Sequence, residues 1–343
     1  ISGINMRGQG LFATTIEGPY SRVVVSATAE LADFGIETFN FGETHATLIY
    51  AGTSLQIARV NIARHPGHIT GKAELSLTTP AIFEGEFQLD GVEMAPLLDS
   101  LSVLPGQSQR FAGVISGTAT INGPIIEPTV LAKAHTDAIH LDGVSLGPTN
   151  ATIRLSPGTE WFSLEASHKP IGGMLNYRLG LVGTDQIAVN FEMNAIPMEV
   201  ITPFMGDLDI HGGLSGQGQL QGALTSLSGQ LALQADSLSA YDIALGHTDL
   251  RAKAQDGQMS IEGTCLDGSA RVLGNMTIGE TIPYSITTEF EGVDTEEIYA
   301  IPDGIKLNVT GSLFSQGDVF KPEAMIADII LTEAKLNVGD FAF

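Results

Sequence analysis

A unit of roughly one hundred residues recurs about three and a half times along this chain, and that recurrence constrains the fold more than any short motif. The segment Leu214-Ser-Gly-Gln-Gly-Gln-Leu-Gln-Gly222 matches Ile115-Ser-Gly-Thr-Ala-Thr-Ile-Asn-Gly123. A looser copy runs from Met6 to Gly18, and another begins at Val309-Thr-Gly-Ser-Leu-Phe-Ser-Gln-Gly317. Each opening is followed by a returning glycine. Gly18 to Gly42, Gly123 to Gly147 and Gly222 to Gly246 are each 24 residues apart, and Gly317 to Gly339 is 22. A repeat of this length means one supersecondary unit stacked on itself. The approximate units are 1–109, 110–206, 207–303 and a truncated 304–343, read as one continuous repeat β-domain.

Within each unit the hydropathy alternates with period two. Leu227, Leu231, Leu233 and Ala235 face one way, and Ser228, Gln230, Gln234 and Asp236 the other. Ile187, Val189, Phe191 and Met193 alternate with Asn190 and Glu192. Leu175, Tyr177, Leu179 and Leu181 do so with Asn176 and Arg178, and Tyr284, Ile286 and Phe290 with Thr287 and Glu289. Such alternation marks half-buried antiparallel strands. Asp-Gly pairs at 90–91, 142–143, 256–257, 267–268 and 303–304 read as tight turns. The alternation breaks at Gly91–Leu98, Ala195–Ile201 and Gly292–Tyr299, which read as short helices or turns linking one meander to the next. Gly113, Gly117, Gly123, Gly216, Gly218 and Gly222 fall on the apolar face, where the lack of side chains lets a sheet curl towards that face.

Composition narrows the function classes. Net charge is −23, which repels nucleic acid and anionic membrane surfaces. The apolar share of 43% argues against disorder. The single cysteine, Cys265, permits no internal disulfide and reads as a small buried hydrophobe. There is no signal peptide or apolar run long enough for a transmembrane helix. The chain starts without Met and stops inside its fourth unit, so it is expected to be a piece of a longer protein.

No catalytic constellation stands out, and no cofactor is expected. The Gly216–Gly222 run has the wrong spacing and context for a dinucleotide fingerprint. His65 and His68 flank a Pro-Gly turn without a third metal ligand at suitable spacing. The functional question is then how the apolar face is covered. Two sheets can pack as a sandwich, a solenoid can fill its own core, or an open trough can take a ligand. The lining is Gly-rich and aromatics are only 6% of the chain, which favours a trough or a loosely filled interior. An acyl chain suits such a lining, at about 0.8 kcal/mol per buried methylene. The expected lining residues are Leu175, Leu179, Leu181, Ile187, Val189, Phe191, Leu220, Leu231, Leu233, Ile261, Val272 and Ile286.

The Leu-Ser-Gly-X-Gly-X-Leu-X-Gly opening at 214–222 resembles the AsmA-like superfamily of bacterial envelope proteins, which includes the TamB branch. So do the strand 227–236, the return Ala240–Gly246 and linkers such as Ala195–Ile201, over essentially the whole chain. The resemblance implies a long, curled antiparallel β-sheet, an open trough in the periplasm. It implies phospholipid as cargo, an inner-membrane anchor outside this fragment, and for the TamB branch an outer-membrane barrel partner. Twenty or so strands at ~4.8 Å would extend roughly 95 Å. Two other readings fit the same residues. One is a structural or adhesive β-repeat, with Ig-like arrays the stronger form. The other is an assembly component or chaperone for outer-membrane proteins that pairs with strand edges.

Overall fold

A computed structural model of the chain describes residues 6–36, 39–64, 66–101, 108–170, 172–183, 185–204, 209–223, 226–241, 243–279, 281–294, 305–319, 321–338 and 341–342. Strand dominates the described residues, so the protein is all-β, and its antiparallel sheet is not closed into a barrel. It divides into two compact units, Ile1–His168 and Lys169–Phe343.

The first unit contains β1 (Met6–Glu17), β2 (Val24–Ile36), β3 (Phe39–Ala51), β4 (Ser54–Arg64), β5 (Gly67–Ser76) and β6 (Ile82–Glu93). A helix, α1 (Met94–Leu101), follows, then β7 (Phe111–Pro124), β8 (Thr129–Leu141), β9 (Val144–Leu155) and β10 (Glu160–His168). Each strand pairs antiparallel with the next in sequence. This is a meander, which a Greek-key sandwich is not. Helix α1 runs across the strand ends, touching β6, β7 and also β3. Its Leu97 and Leu98 are half-buried.

The second unit contains β11 (Met174–Val182), β12 (Gln186–Pro197), the short helix α2 (Met198–Ile201), β13 (Ile210–Ala223), β14 (Ser228–Ala240), β15 (Ile243–Gln255), β16 (Gln258–Cys265), β17 (Ala270–Thr277), β18 (Pro283–Asp294), β19 (Ile305–Asp318), β20 (Lys321–Val338) and β21 (Phe341–Ala342). These also pair in sequence order. Residues 295–299 of the third linker, Asp303-Gly304, His65 and Gly339 lie outside the described residues.

The sequence repeat is a six-strand repeat with two bulges. The first bulge joins each sixth strand to the next first strand. Residues 90–91 oppose Ser116, residues 194–195 oppose Ser215, and residues 291–292 oppose Thr310. The second bulged residue has positive φ each time: Gly91 +64°, Ala195 +49°, Gly292 +62°. Its amide donates to the opposing hydroxyl, at 3.1 Å to Ser116, 2.9 Å to Ser215 and 3.0 Å to Thr310. The Ser or Thr of the repeat opening is thus the acceptor for a strand amide that the ladder leaves unpaired. The residue after each bulge, Val92, Ile196 or Val293, is fully buried against Ile115, Leu214 or Val309. Replacing Ser215 with alanine should cost about 1 kcal/mol, the net worth of one such bond, read as a lower urea midpoint.

The second bulge joins the second and third strands of each repeat. It accounts for the returning glycines, since Gly42, Gly147 and Gly246 have φ of +75°, +70° and +60°. Two residues on, Thr44, Thr149 and Thr248 are all buried. Thr44 and Thr149 donate to the glycine carbonyl two residues back. These six recurring bulges fall near the C-terminal ends of even-numbered strands, so in each unit they line one edge.

The Asp-Gly pairs divide into different structures. Asp142-Gly143 and Asp256-Gly257 are two-residue hairpin turns with positive φ at both positions, as expected. Asp267-Gly268 lies in the turn between β16 and β17. Asp90-Gly91 is no turn but the bulge of β6. Cys265 is half-buried, not enclosed, and burial pushes its thiol pKa up.

The glycines also produce close approach. A Cβ on Gly117, Gly216 or Gly311 would collide with the carbonyl oxygen of Lys133, Ala232 or Ile330 on the next strand. At β7–β8, β13–β14 and β19–β20 the neighbouring backbone therefore leans over the apolar face. The strands approach closely at these glycines, and Gly117 and Gly216 are among those whose pattern predicts curling.

Candidate functional site

All twelve expected lining residues lie in the second unit and on one face. The register places Leu175, Met193, Gly216, Leu233, Leu250, Gly263, Val272 and Thr288 in one row across the strands. The next row is Tyr177, Phe191, Gly218, Leu231, Ala252, Ile261, Gly274 and Ile286. A third is Leu179, Val189, Leu220, Gly229, Ala254, Met259, Met276 and Tyr284, with Leu181 and Ile187 beside it. The face is thus unbroken from β11 to β18. Sequence reasoning left Leu250, Ala252, Ala254, Met259 and Met276 out of the lining, although period two already aligned them with Ile261.

Burial separates this face from a packed core. Every one of the twelve expected residues is half-buried. Within the three rows the enclosed side chains are small, namely Ala252 and Ala254, and the large enclosed residues of these strands, Ile196 and Val293, sit at the bulges outside the rows. In a filled sandwich the large side chains would be the most enclosed, because interiors pack to crystal-like density. Here the large apolar groups are shielded by their neighbours but not covered by a second layer among the described residues.

The opposite face is polar and carries a broad depression of about 970 Å³ across β12 to β18. Gln217, Gln219, Gln230, Arg251, Lys253, Ser260, Glu262 and Asn275 surround it, with Phe191, Leu231 and Ile261 reaching it between those rows. The other nine expected lining residues do not border this depression. Gly218, Ala252 and Gly274 border it as well, so the depression shares the central row with the apolar face.

Charge collects at the bulged edge of the polar face. His247 lies 2.7 Å from Asp236 through Nδ1 and 3.0 Å from Asp249 through Nε2. Its backbone amide donates to Asp267 at 2.9 Å. His211 lies 2.9 Å from both Glu199 and Asp209. These carboxylates raise both imidazole pKa values, chiefly through the hydrogen bonds that Asp236 accepts from His247 and Glu199 accepts from His211. Among the described residues no group of three or more metal-ligating side chains is suitably placed, and no helix is long and apolar enough to cross a membrane.

One titratable group in the first unit is buried. His168 is 4% exposed and its Nδ1 lies 2.7 Å from the hydroxyl of Thr149. That hydroxyl already donates to Gly147, so His168 donates through Nδ1–H. Burial lowers its pKa. The folded state then binds a proton less readily than the unfolded chain, whose His titrates near 6.5. This contribution is full above about pH 6.5 and is lost as the pH falls through the lower folded pKa. Thermal unfolding compared between pH 7.5 and 5 should show a smaller pH effect in His168→Asn than in the parent chain.

No protein-family profile, curated protein or solved structure matches this chain.

Proposed function

We propose that the apolar face of the second unit holds the acyl chains of phospholipids, and that the protein is a segment of a periplasmic lipid-transfer bridge of the AsmA-like kind. The observation that carries this reading is the unbroken apolar face from β11 to β18 whose large side chains are half-buried. A ligand with long methylene chains would complete that burial at about 25 cal/mol per Å². From Phe191 to Ile286 the central row carries no polar side chain to pin a ligand at one point, so a chain held there is free to shift across those strands. The inner-membrane anchor and the outer-membrane barrel partner belong to this proposal as expectations for the whole protein.

The test is native mass spectrometry with lipid extraction of the protein purified from a bacterial host. Co-purifying phospholipid that is lost in Leu233→Asp supports the reading. A stable, monodisperse protein free of lipid overturns it and favours a structural array or an assembly chaperone.

A further inference from the structure

Five turns of the first unit lie on the margin away from the bulges, joining β1 to β2, β3 to β4, β5 to β6, β7 to β8 and β9 to β10. Each carries an exposed large apolar side chain at its tip or flank. In chain order these include Tyr20, Tyr50, Ile82, Ile126 and Trp161. Tyr20 is fully exposed and Ile126 is 83% exposed. Successive turns are two strands apart, so at ~4.8 Å per strand the five extend over roughly 40 Å. The turns after β11, β13, β15, β17 and β19 of the second unit expose no large apolar side chain among the described residues. The repeat fold therefore does not require this strip.

The strip is apolar on both sides of the sheet. Tyr50 stands on the apolar face, opposite Leu55. Ile82 alternates with Phe83, which faces Leu75, and Trp161 alternates with Phe162, which faces Leu155, so both stand on the polar face. A protein laid against one face would leave the tips on the other in water. A lipid surface closes around a margin from both sides. Two tyrosines and a tryptophan, each an apolar ring with a polar handle, match the level where headgroups meet acyl chains. The charges select the kind of surface. These turns and their flanks hold Glu17, Arg22, Glu127 and Glu160 and no lysine. Anionic lipid would repel the three carboxylates. A zwitterionic headgroup offers them its outward ammonium, and offers Arg22 its phosphate. We infer that this margin of the first unit docks on a zwitterionic phospholipid surface, with its turn tips sunk to the headgroup level. The docking does not depend on the acyl-chain reading of the second unit.

Trp161 is the one tryptophan of the chain, so the margin carries its own probe. The whole protein is titrated with phosphatidylcholine vesicles, alone and with phosphatidylglycerol mixed in, and tryptophan emission is read with and without brominated acyl chains. Docking should shift the emission to the blue. Bromines near the headgroup should quench it more than bromines near the methyl end. Phosphatidylglycerol should weaken the binding. The double variant Tyr20→Ser with Ile126→Ser removes two side chains that stand in solvent. It should weaken binding about tenfold, through lost apolar burial, with the melting temperature unchanged. Unchanged emission, binding that requires phosphatidylglycerol, or parent-strength binding by the double variant overturns the inference. Cross-linking from position 20 to a protein in a bacterial lysate, without vesicle binding, overturns it in favour of a protein partner.

Discussion

Replacing Gly216 with valine should destabilise the second unit by about 3 kcal/mol, near the upper end for overpacking. The added Cβ would collide with the carbonyl oxygen of Ala232 and come within 2.8 Å of Leu233 Cδ2. A flexible side chain can swing aside, but a carbonyl in a strand ladder cannot move without breaking its pairing. Val also adds branches where the neighbouring backbone already leans in. Gly117 and Gly311 hold the same place in their repeats and face the same obstruction. Urea unfolding followed by far-ultraviolet circular dichroism checks the effect. Substitution at Gly52, whose Cβ would meet nothing within 4 Å, is the comparison for a turn glycine with φ of +62°. It carries backbone strain without overpacking, so its loss should be smaller.

The second large effect is on ligand, not on fold. Leu233→Asp places a carboxylate in the middle of the apolar face, between Gly216 and Leu250. Leu233 is half-buried, so water reaches the new carboxylate in the empty protein and the sheet should survive. Once an acyl chain covers it, the charge must be desolvated with no partner, which costs several kcal/mol. Even about 2.7 kcal/mol reduces occupancy about a hundredfold. Co-purified phospholipid should therefore fall below detection while the melting temperature changes by only a few degrees. A variant that keeps its lipid would place the bound chains elsewhere.

Much of this architecture was legible because a strand writes its two faces into alternate residues. The strands 187–193 and 227–236 carry that signal without interruption, and their rows align in the structure. What alternation does not write is where it slips. The Asp90-Gly91 pair has the letters of a hairpin turn, yet it sits inside β6. The turn at Asp142-Gly143 is flanked by two strands that return on each other, whereas Asp90-Gly91 is followed at once by the helix at Met94. The local dipeptide supplies the positive φ, and its surroundings decide whether that becomes a turn or a bulge. The buried threonines were also present in the sequence, as Gly42-Glu-Thr44, Gly147-Pro-Thr149 and Gly246-His-Thr248. Threonine reads as polar and outward in a period-two pattern. The bulge two residues earlier shifts the phase and turns it inward. The packing of the Phe191 ring over Gly218, where a Cβ would stand 2.5 Å from Cε1, was hidden for another reason. The two residues are 27 positions apart and meet only through the register of β12 with β13.

The six-strand period has an effect on growth of the chain. Six is even, so β1 and β7 run in the same direction within the first unit, and β13 and β19 do so within the second. Duplicating one repeat therefore neither inverts the sheet faces nor moves the linker to the other edge. An odd number of strands would have reversed the direction of every later first strand. The gene for such a protein can lengthen or shorten in whole repeats while an apolar side stays apolar, and new insertions collect on one margin.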